Sequence, residues 1–282
     1  MKHTLIKSLV ILLAMPLSAY ADGDINEYHF DSKISYTRLE NDFFDTNHWG
    51  TSLEYYWNPI TYSRNYPNKE VAFVNRLGSA GIRYRGAEGN DDIQDFFSTN
   101  LGIKMHYAAK DFNHVFQINY DWTNSESEIH DTPFDSEIDS HLLDFGYQYY
   151  LLDNLTVGAG FKVGFFDDDF ENENYYAYEI NTKYLLNMGN QQWLTLTGSY
   201  EYEDVDNDSH TIGASAEYYF TPQTSLKLAG DIAFRRSSDS GFVELSATHY
   251  FVDQFALYTG FGYNINDGSD AQRYTIGVNY RF

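Results

Sequence analysis

The chain has 282 residues and no cysteine, an absence that removes a disulfide frame, a thiolate metal site and a cysteine nucleophile together. Basic residues are scarce: 18 Lys and Arg stand against 41 Asp and Glu, for a formal net charge of −23. So acidic a chain is repelled by polyanions, which excludes a nucleic-acid partner that needs a basic face. Long apolar runs are missing as well. The mean hydropathy is −0.50, and nothing approaches the roughly 20 apolar residues of a spanning helix, so a helical membrane bundle is excluded. A membrane β-barrel is not, because its strands are apolar on one side only.

The first 21 residues have the order of an export signal. Lys2 and Lys7 give a positive start, Leu9 to Leu17 a short apolar core, and Ala19-Tyr20-Ala21 a small-x-small cleavage site. Cleavage is expected before Asp22. Loss of Lys2 and Lys7 with the leader takes the net charge to −25. Residues 22–282 are then the exported domain, and a cysteine-free chain suits an oxidising envelope compartment.

Period two runs through that domain. Leu155, Val157, Ala159, Phe161, Val163 and Phe165 alternate with Thr156, Gly158, Gly160, Lys162 and Gly164, the pattern of a strand with one apolar face and one small or polar face. The same alternation places strands near 28–38, 48–57, 78–85, 99–108, 114–122, 141–151, 155–165, 176–186, 194–202, 210–220, 225–235, 242–251, 255–263 and 273–282. Pro59, Pro67, Pro133 and Pro222 all fall between them, where no ladder N–H is lost. These fourteen segments are close to the nine to eleven residues that a tilted strand needs to cross a bilayer.

Aromatic residues at the ends of the apolar stripes (Trp49 and Trp57, Tyr147 and Tyr149, Tyr218 and Phe220) match interfacial girdles, which a soluble sandwich does not need. Links after the even-numbered strands are short, and those after the odd-numbered ones are longer and acidic. The expectation is an all-β fold: a transmembrane antiparallel up-and-down barrel of about fourteen strands. The exception is 58–76, on the side where links are otherwise short. It is expected to be an ordered turn, a segment folded into the mouth, or two extra strands that would raise the count to sixteen.

Such a barrel has a lumen, and the polar phase of the strands supplies its expected pore-lining residues: Lys33, Glu54, Arg83, Arg85, Lys104, Asp121, Asp144, Lys162, Glu179, Lys183, Glu217, Lys227, Asp231 and Glu244. Counting the whole polar phase, 10 basic and 9 acidic side chains make a nearly neutral, mixed interior. The remaining charge sits largely in the acidic loops, so a weak cation preference is expected. The glycines on this phase, Gly102, Gly158, Gly164 and Gly277 among them, serve either pore clearance or strand bending. Asp204, Asp206 and Asp208 beside Ser209 and His210 suggest a barrel hydrolase, but no third group is indicated by spacing. No catalytic residue, metal site or cofactor is expected. A closed structural or adhesive barrel is the alternative to a porin.

The final strand, Tyr274-x-Ile276-x-Val278-x-Tyr280-x-Phe282, together with the leader and the amphipathic strands, resembles Gram-negative outer-membrane β-barrels. The stretch Pro67-Asn68-Lys69-Glu70-Val71-Ala72-Phe73-Val74-Asn75-Arg76 is similar to the putative general bacterial porin family. The resemblance implies an outer-membrane location, contact with lipid and lipopolysaccharide, and small hydrophilic solutes as cargo. It also implies that Tyr280 and Phe282 are read by the barrel-assembly machinery, and it is compatible with a homotrimer or a monomer. Replacing Phe282 by a polar residue should lower the outer-membrane yield while refolding in detergent persists; unchanged membrane levels would count against an assembly signal.

Overall fold

A computed structural model of the chain describes residues 27–41, 45–61, 65–90, 94–109, 113–130, 135–168, 172–204, 208–235, 239–266 and 271–282. The expected leader lies outside the described residues. Among those described there are fourteen strands: β1 (Glu27–Asn41), β2 (Asp45–Thr61), β3 (Ser79–Asn90), β4 (Gln94–Ala109), β5 (His114–Ile129), β6 (Asp135–Leu152), β7 (Leu155–Asp168), β8 (Asn172–Gly189), β9 (Gln192–Asp204), β10 (Ser209–Thr221), β11 (Thr224–Arg235), β12 (Ser240–Val252), β13 (Phe255–Asn266) and β14 (Ala271–Arg281). Each pairs antiparallel with its neighbours in sequence, and β1 pairs with β14 to close the barrel. The sixteen-strand alternative is thereby corrected: between β2 and β3 lie a 3-10 turn, Asn68–Glu70, and one helical turn α1 (Val71–Val74).

Closure runs from Asp31↔Arg281 to Asn41↔Ala271. Phe282 extends the seam: its carbonyl accepts from the amides of His29 and Phe30 (3.0 and 2.8 Å), and its own amide donates to the Phe30 carbonyl (3.0 Å). Its ring stacks on that of Phe30 with centroids 5.1 Å apart.

The apolar phase of the strands faces outward. Ile180 is 60% exposed and Leu228 55%, with Ile82, Leu101, Ile103, Ile212, Leu245 and Ile276 exposed alike. A soluble sandwich would bury this phase, whereas a membrane barrel turns it toward lipid. Arg38, on the outward phase near the end of β1, is held by Glu40 (2.8 Å) and Asp45 (3.0 Å).

Two sequence readings change. Strands are longer than the bilayer needs: Glu126 to Glu137, read as a loop, is largely a polar hairpin extension in which Asn124 donates to Glu137 and Asp139, and Ser98 meets Ser125. Above the membrane, water covers both faces, so the apolar alternation fades although the ladder continues. The inner-phase glycines also do other work. A Cβ on Gly277 would lie 2.2 Å from the Tyr258 ring, and one on Gly164 would lie 1.8 Å from the Tyr175 ring. These glycines seat cross-strand tyrosines rather than clear the pore.

The outward phase should be intolerant of charge. Leu228→Arg is expected to destabilise the barrel by about 2–4 kcal/mol in denaturant titrations in lipid, whereas Ser199→Lys on the inner phase should change it by less than about 1 kcal/mol. Equal effects would show that the two faces are misassigned.

Candidate pore and the segment at its mouth

The strand register places the polar phase on a continuous inner surface. One row of cross-strand partners reads Asp31, Glu54, Gly81, Lys104, Asn119, Asp144, Lys162, Ala177, Glu203, Ser209 and Arg235. It climbs from the end holding the chain termini to the opposite rim, as the stagger of a closed barrel requires. All fourteen expected pore-lining residues share this phase. On a concave face side chains converge, and contacts skip a strand: Lys104 on β4 reaches Glu54 on β2 (2.6 Å), Arg83 on β3 forks onto Asp121 on β5, and Lys162 on β7 reaches Glu201 on β9.

The charges are unevenly distributed around the circumference. On β14 and β1–β4 the basic Lys33, Arg83, Arg85, Lys104, Arg273 and Arg281 face the lumen with two carboxylates, Asp31 and Glu54. On the adjoining β5–β9, Asp121, Asp144, Glu179, Glu201 and Glu203 accompany Lys162 and Lys183, and on β10–β13 Glu217, Asp231 and Glu244 are mixed with Lys227 and Arg235. The near-zero sum expected from sequence therefore conceals a mainly basic sector beside a mainly acidic one. Near the far rim, on the outward phase of the strand extensions, Glu88, Asp95, Glu126, Glu128 and Glu137 line a cavity of about 890 Å³ on the outside of the wall.

The residues between β2 and β3 cross the opposite mouth. Lys69 Nζ binds Glu217 on β10 (2.8 and 3.0 Å). Glu70 is buried; its Oε2 contacts Lys183 Nζ on β8 (2.6 Å), and its Oε1 accepts from Tyr219 (2.9 Å) and Thr195 (3.2 Å). Asn68 donates its amide N–H to the Pro222 carbonyl (2.9 Å) and its side chain to Asp253 (3.2 Å), and its carbonyl accepts from Arg281 on β14 (2.9 Å). The Phe73 carbonyl accepts from Tyr150 on β6 (2.7 Å), and Arg76 reaches Asn113 and Asp153. Val71 and Leu77 pack against Tyr28, Tyr56 and Ile60 on β1 and β2. The anchors thus lie all around the rim.

Magnitudes show what this segment does to the opening. Fourteen strands about 4.8 Å apart and tilted by about 40° give a backbone diameter of about 28 Å, too wide for wall side chains alone to fill. A helical turn with its side chains is about 10–12 Å across, enough to occupy most of what the wall leaves. Of the three readings of 58–76, the one in which the segment folds into the mouth is the one observed for residues 65–77. The sequence held a signal: Lys69 and Glu70 beside Val71, Phe73 and Val74 form a small amphipathic unit on a side where most other links have two residues, as in Asp153-Asn154, Pro222-Gln223 and Asp253-Gln254. It did not single out Lys69, Glu70 or Arg76 as site residues, because their partners come from five distant strands and turns.

The hydrolase constellation does not assemble. Ser209 is on the inner phase and buried, whereas His210 points outward and its Nδ1 pairs with the Tyr200 hydroxyl (2.8 Å), as consecutive residues of a strand must diverge. Asp206 lies outside the described residues, and Asp208 accepts from Tyr202 (3.2 Å). Among the described residues no three His, Asp or Glu side chains converge as metal ligands.

The model of the family described as "Putative general bacterial porin" matches residues 115–282. The chain belongs to that family. Its fold is that of outer-membrane barrels. It is 16% identical to the outer membrane protein Omp33 of Acinetobacter baumannii, with a TM-score of 0.58 over 91% of this chain and 99% of that one. It is 7% identical to the monoaromatic hydrocarbon channel CymD (TM-score 0.58; 91% and 89% covered) and 8% to a mutant of the channel TodX (TM-score 0.53; 92% and 90%). No curated protein sequence matches it significantly. The porin is a bacterial outer-membrane protein with a channel role, so the end carrying the termini and short turns faces the periplasm.

Glu70 is the expected keystone of this porin's plug. Glu70→Ala leaves Lys183 without its partner and removes two hydroxyl bonds, so amide exchange over 65–77 should accelerate by about tenfold or more, with the strand amides of β8 and β9 protected as before. Unchanged exchange over 65–77 would show that the plug is held without it.

Proposed function

We propose that the protein is a gated porin for passive diffusion of small hydrophilic solutes and ions, with a weak preference for cations. The observation that carries this is the single periplasmic segment anchored around the whole rim of a barrel whose lumen is otherwise too wide to be filled. A lumen that served only as scaffold would be filled from its walls; here closure depends on about a dozen residues held by side-chain bonds and three ion pairs. Unseating them opens a path lined by Lys33, Arg83 and Arg85 on one side and Asp144, Glu179 and Glu201 on the other.

The selectivity follows from the ends and the walls. The acidic loops and outer rim raise local cation concentration, while basic and acidic sectors on the inner wall let both signs pass. Screening over about 8 Å at physiological salt keeps the preference modest. The closed structural or adhesive barrel is favoured by the seated plug alone, and conduction decides between the two.

Planar-bilayer recording tests both parts. The wild type should show small or flickering conductance, and a variant with residues 65–76 replaced by a short Gly-Ser link should show large, steady steps. In a salt gradient the shortened variant should give a cation-selective reversal potential that declines as salt rises. A folded, shortened barrel that never conducts would sink the porin reading. Equal conductance of the two proteins would remove the gate, and anion selectivity at low salt would show that the basic wall dominates the rim.

A further inference from the structure

Beside the plug, on the periplasmic rim, lies a cavity of about 470 Å³ formed by Asn65, Tyr66, Asn187, Asn190, Gln191 and Trp193. Its chemistry contrasts with the rest of the molecule. In a chain with 41 carboxylates, this lining holds no acid and no base. Four of its side chains are carboxamides, each with donors and an acceptor in one plane. The other two are aromatic, with the Tyr66 and Trp193 rings 5.3 Å apart and tilted by 40°.

The backbone here departs from the neighbouring turns. Gly189, Asn190 and Gln191 have φ of 83°, 53° and 62°, whereas no residue of the turns Asp153-Asn154, Pro222-Gln223 and Asp253-Gln254 has positive φ. Gly and Asn take this conformation readily; Gln does so at a cost of about 1–2 kcal/mol. Positive φ at both central residues of a two-residue hairpin is the type I′ turn, whose twist matches that of the flanking strands. Here it turns consecutive carboxamides to the cavity, while Asn187 accepts from the Gly189 amide (2.8 Å) and braces the hairpin.

We propose that this cavity binds a neutral sugar ring of a saccharide. Paired hydroxyls each donate and accept, which carboxamides match without adding a charge; the aliphatic face of a pyranose matches the half-buried Tyr66 ring, which lies over the buried Trp193. The volume lies within the usual range of about 300–1,000 Å³ for small-molecule sites. Two bodies make the site: Asn65 and Tyr66 belong to the plug segment, the others to the β8–β9 hairpin. An occupant touching both favours the seated plug, because it binds that state more tightly than one in which Asn65 and Tyr66 have moved away. This second consequence rests on the gated-channel reading, whereas binding itself does not.

The chemistry is shared by cell-wall glycan and by free sugars, and the experiment separates them. Refolded full-length protein is titrated with tetra-N-acetylchitotetraose and with maltotetraose, following tryptophan fluorescence and calorimetric heat. Saturable binding of either supports the site: preference for the first assigns a wall glycan, for the second a soluble sugar. Asn190→Gly with Gln191→Gly keeps the left-handed turn, removes two carboxamides and leaves the plug anchors intact. It should weaken binding about tenfold or more without lowering thermal stability. No saturable binding of either saccharide, undiminished binding by the double glycine variant, or tighter binding of tetragalacturonate would overturn the proposal. Binding that leaves channel conductance unchanged would overturn only its coupling to the plug.

Discussion

A chain that crosses hydrocarbon must satisfy each backbone N–H and C=O within the protein, and a β-sheet can do so only if it closes. Everything else in this molecule depends on the β1–β14 seam. The register Asp31↔Arg281 to Asn41↔Ala271 supplies the ladder, and Phe282 adds three main-chain bonds at its periplasmic end. The side chains reinforce it. Arg281 Nε donates to Asp31 Oδ2 (2.9 Å), with both groups nearly excluded from solvent, and the guanidinium lies 5.0 Å from the ring centres of Tyr28 and Tyr250. The same guanidinium holds the Asn68 carbonyl, so the residue that locks the seam also tethers the plug.

Closure makes the inner face concave, and concavity organises the charges. Side chains two strands apart come within bonding distance, as in Arg83 with Asp121 and Lys162 with Glu201, so several ionised groups are neutralised along the wall instead of standing in the path. Basic groups still prevail on β14 and β1–β4 and acidic ones on β5–β9, even though the total is near zero. A lumen of this width needs an additional body to close it, and the plug supplies one with little apolar core of its own. Its stability comes from borrowed partners: Tyr28, Tyr56 and Ile60 below Val71, and Trp193, Leu185 and Tyr219 beside Tyr66, Phe73 and Val74.

Much of the fold was legible because lipid leaves a strong mark on a strand. The alternation of Leu155 to Phe165, the exclusion of proline from every strand core except near Pro59, and the aromatic ends gave fourteen strands and the inner phase of all fourteen charged residues. Pro59, read as lying between strands, falls inside β2 near its periplasmic end, where the register with β1 has already shifted and a ladder donor is dispensable. The polar hairpin extensions such as Asn124 with Glu137 were invisible, since a strand wetted on both faces carries no apolar period. The inner glycines were ambiguous for a related reason: the tyrosine that lies over Gly277 comes from β13, and only the register shows that Tyr258 is its neighbour.

By itself, then, the sequence determined the sheet and its two faces and narrowed the strand number to fourteen or sixteen, because each is written in the local period of residues that meet lipid or water. The tertiary structure alone decided between those two counts, which charges meet on the inner wall and what crosses the mouth. Those depend on contacts such as Glu70 with Lys183 and Asn68 with Arg281, between residues more than a hundred positions apart, whose meeting is fixed by the curvature and stagger of the closed barrel and leaves no periodic trace in the chain.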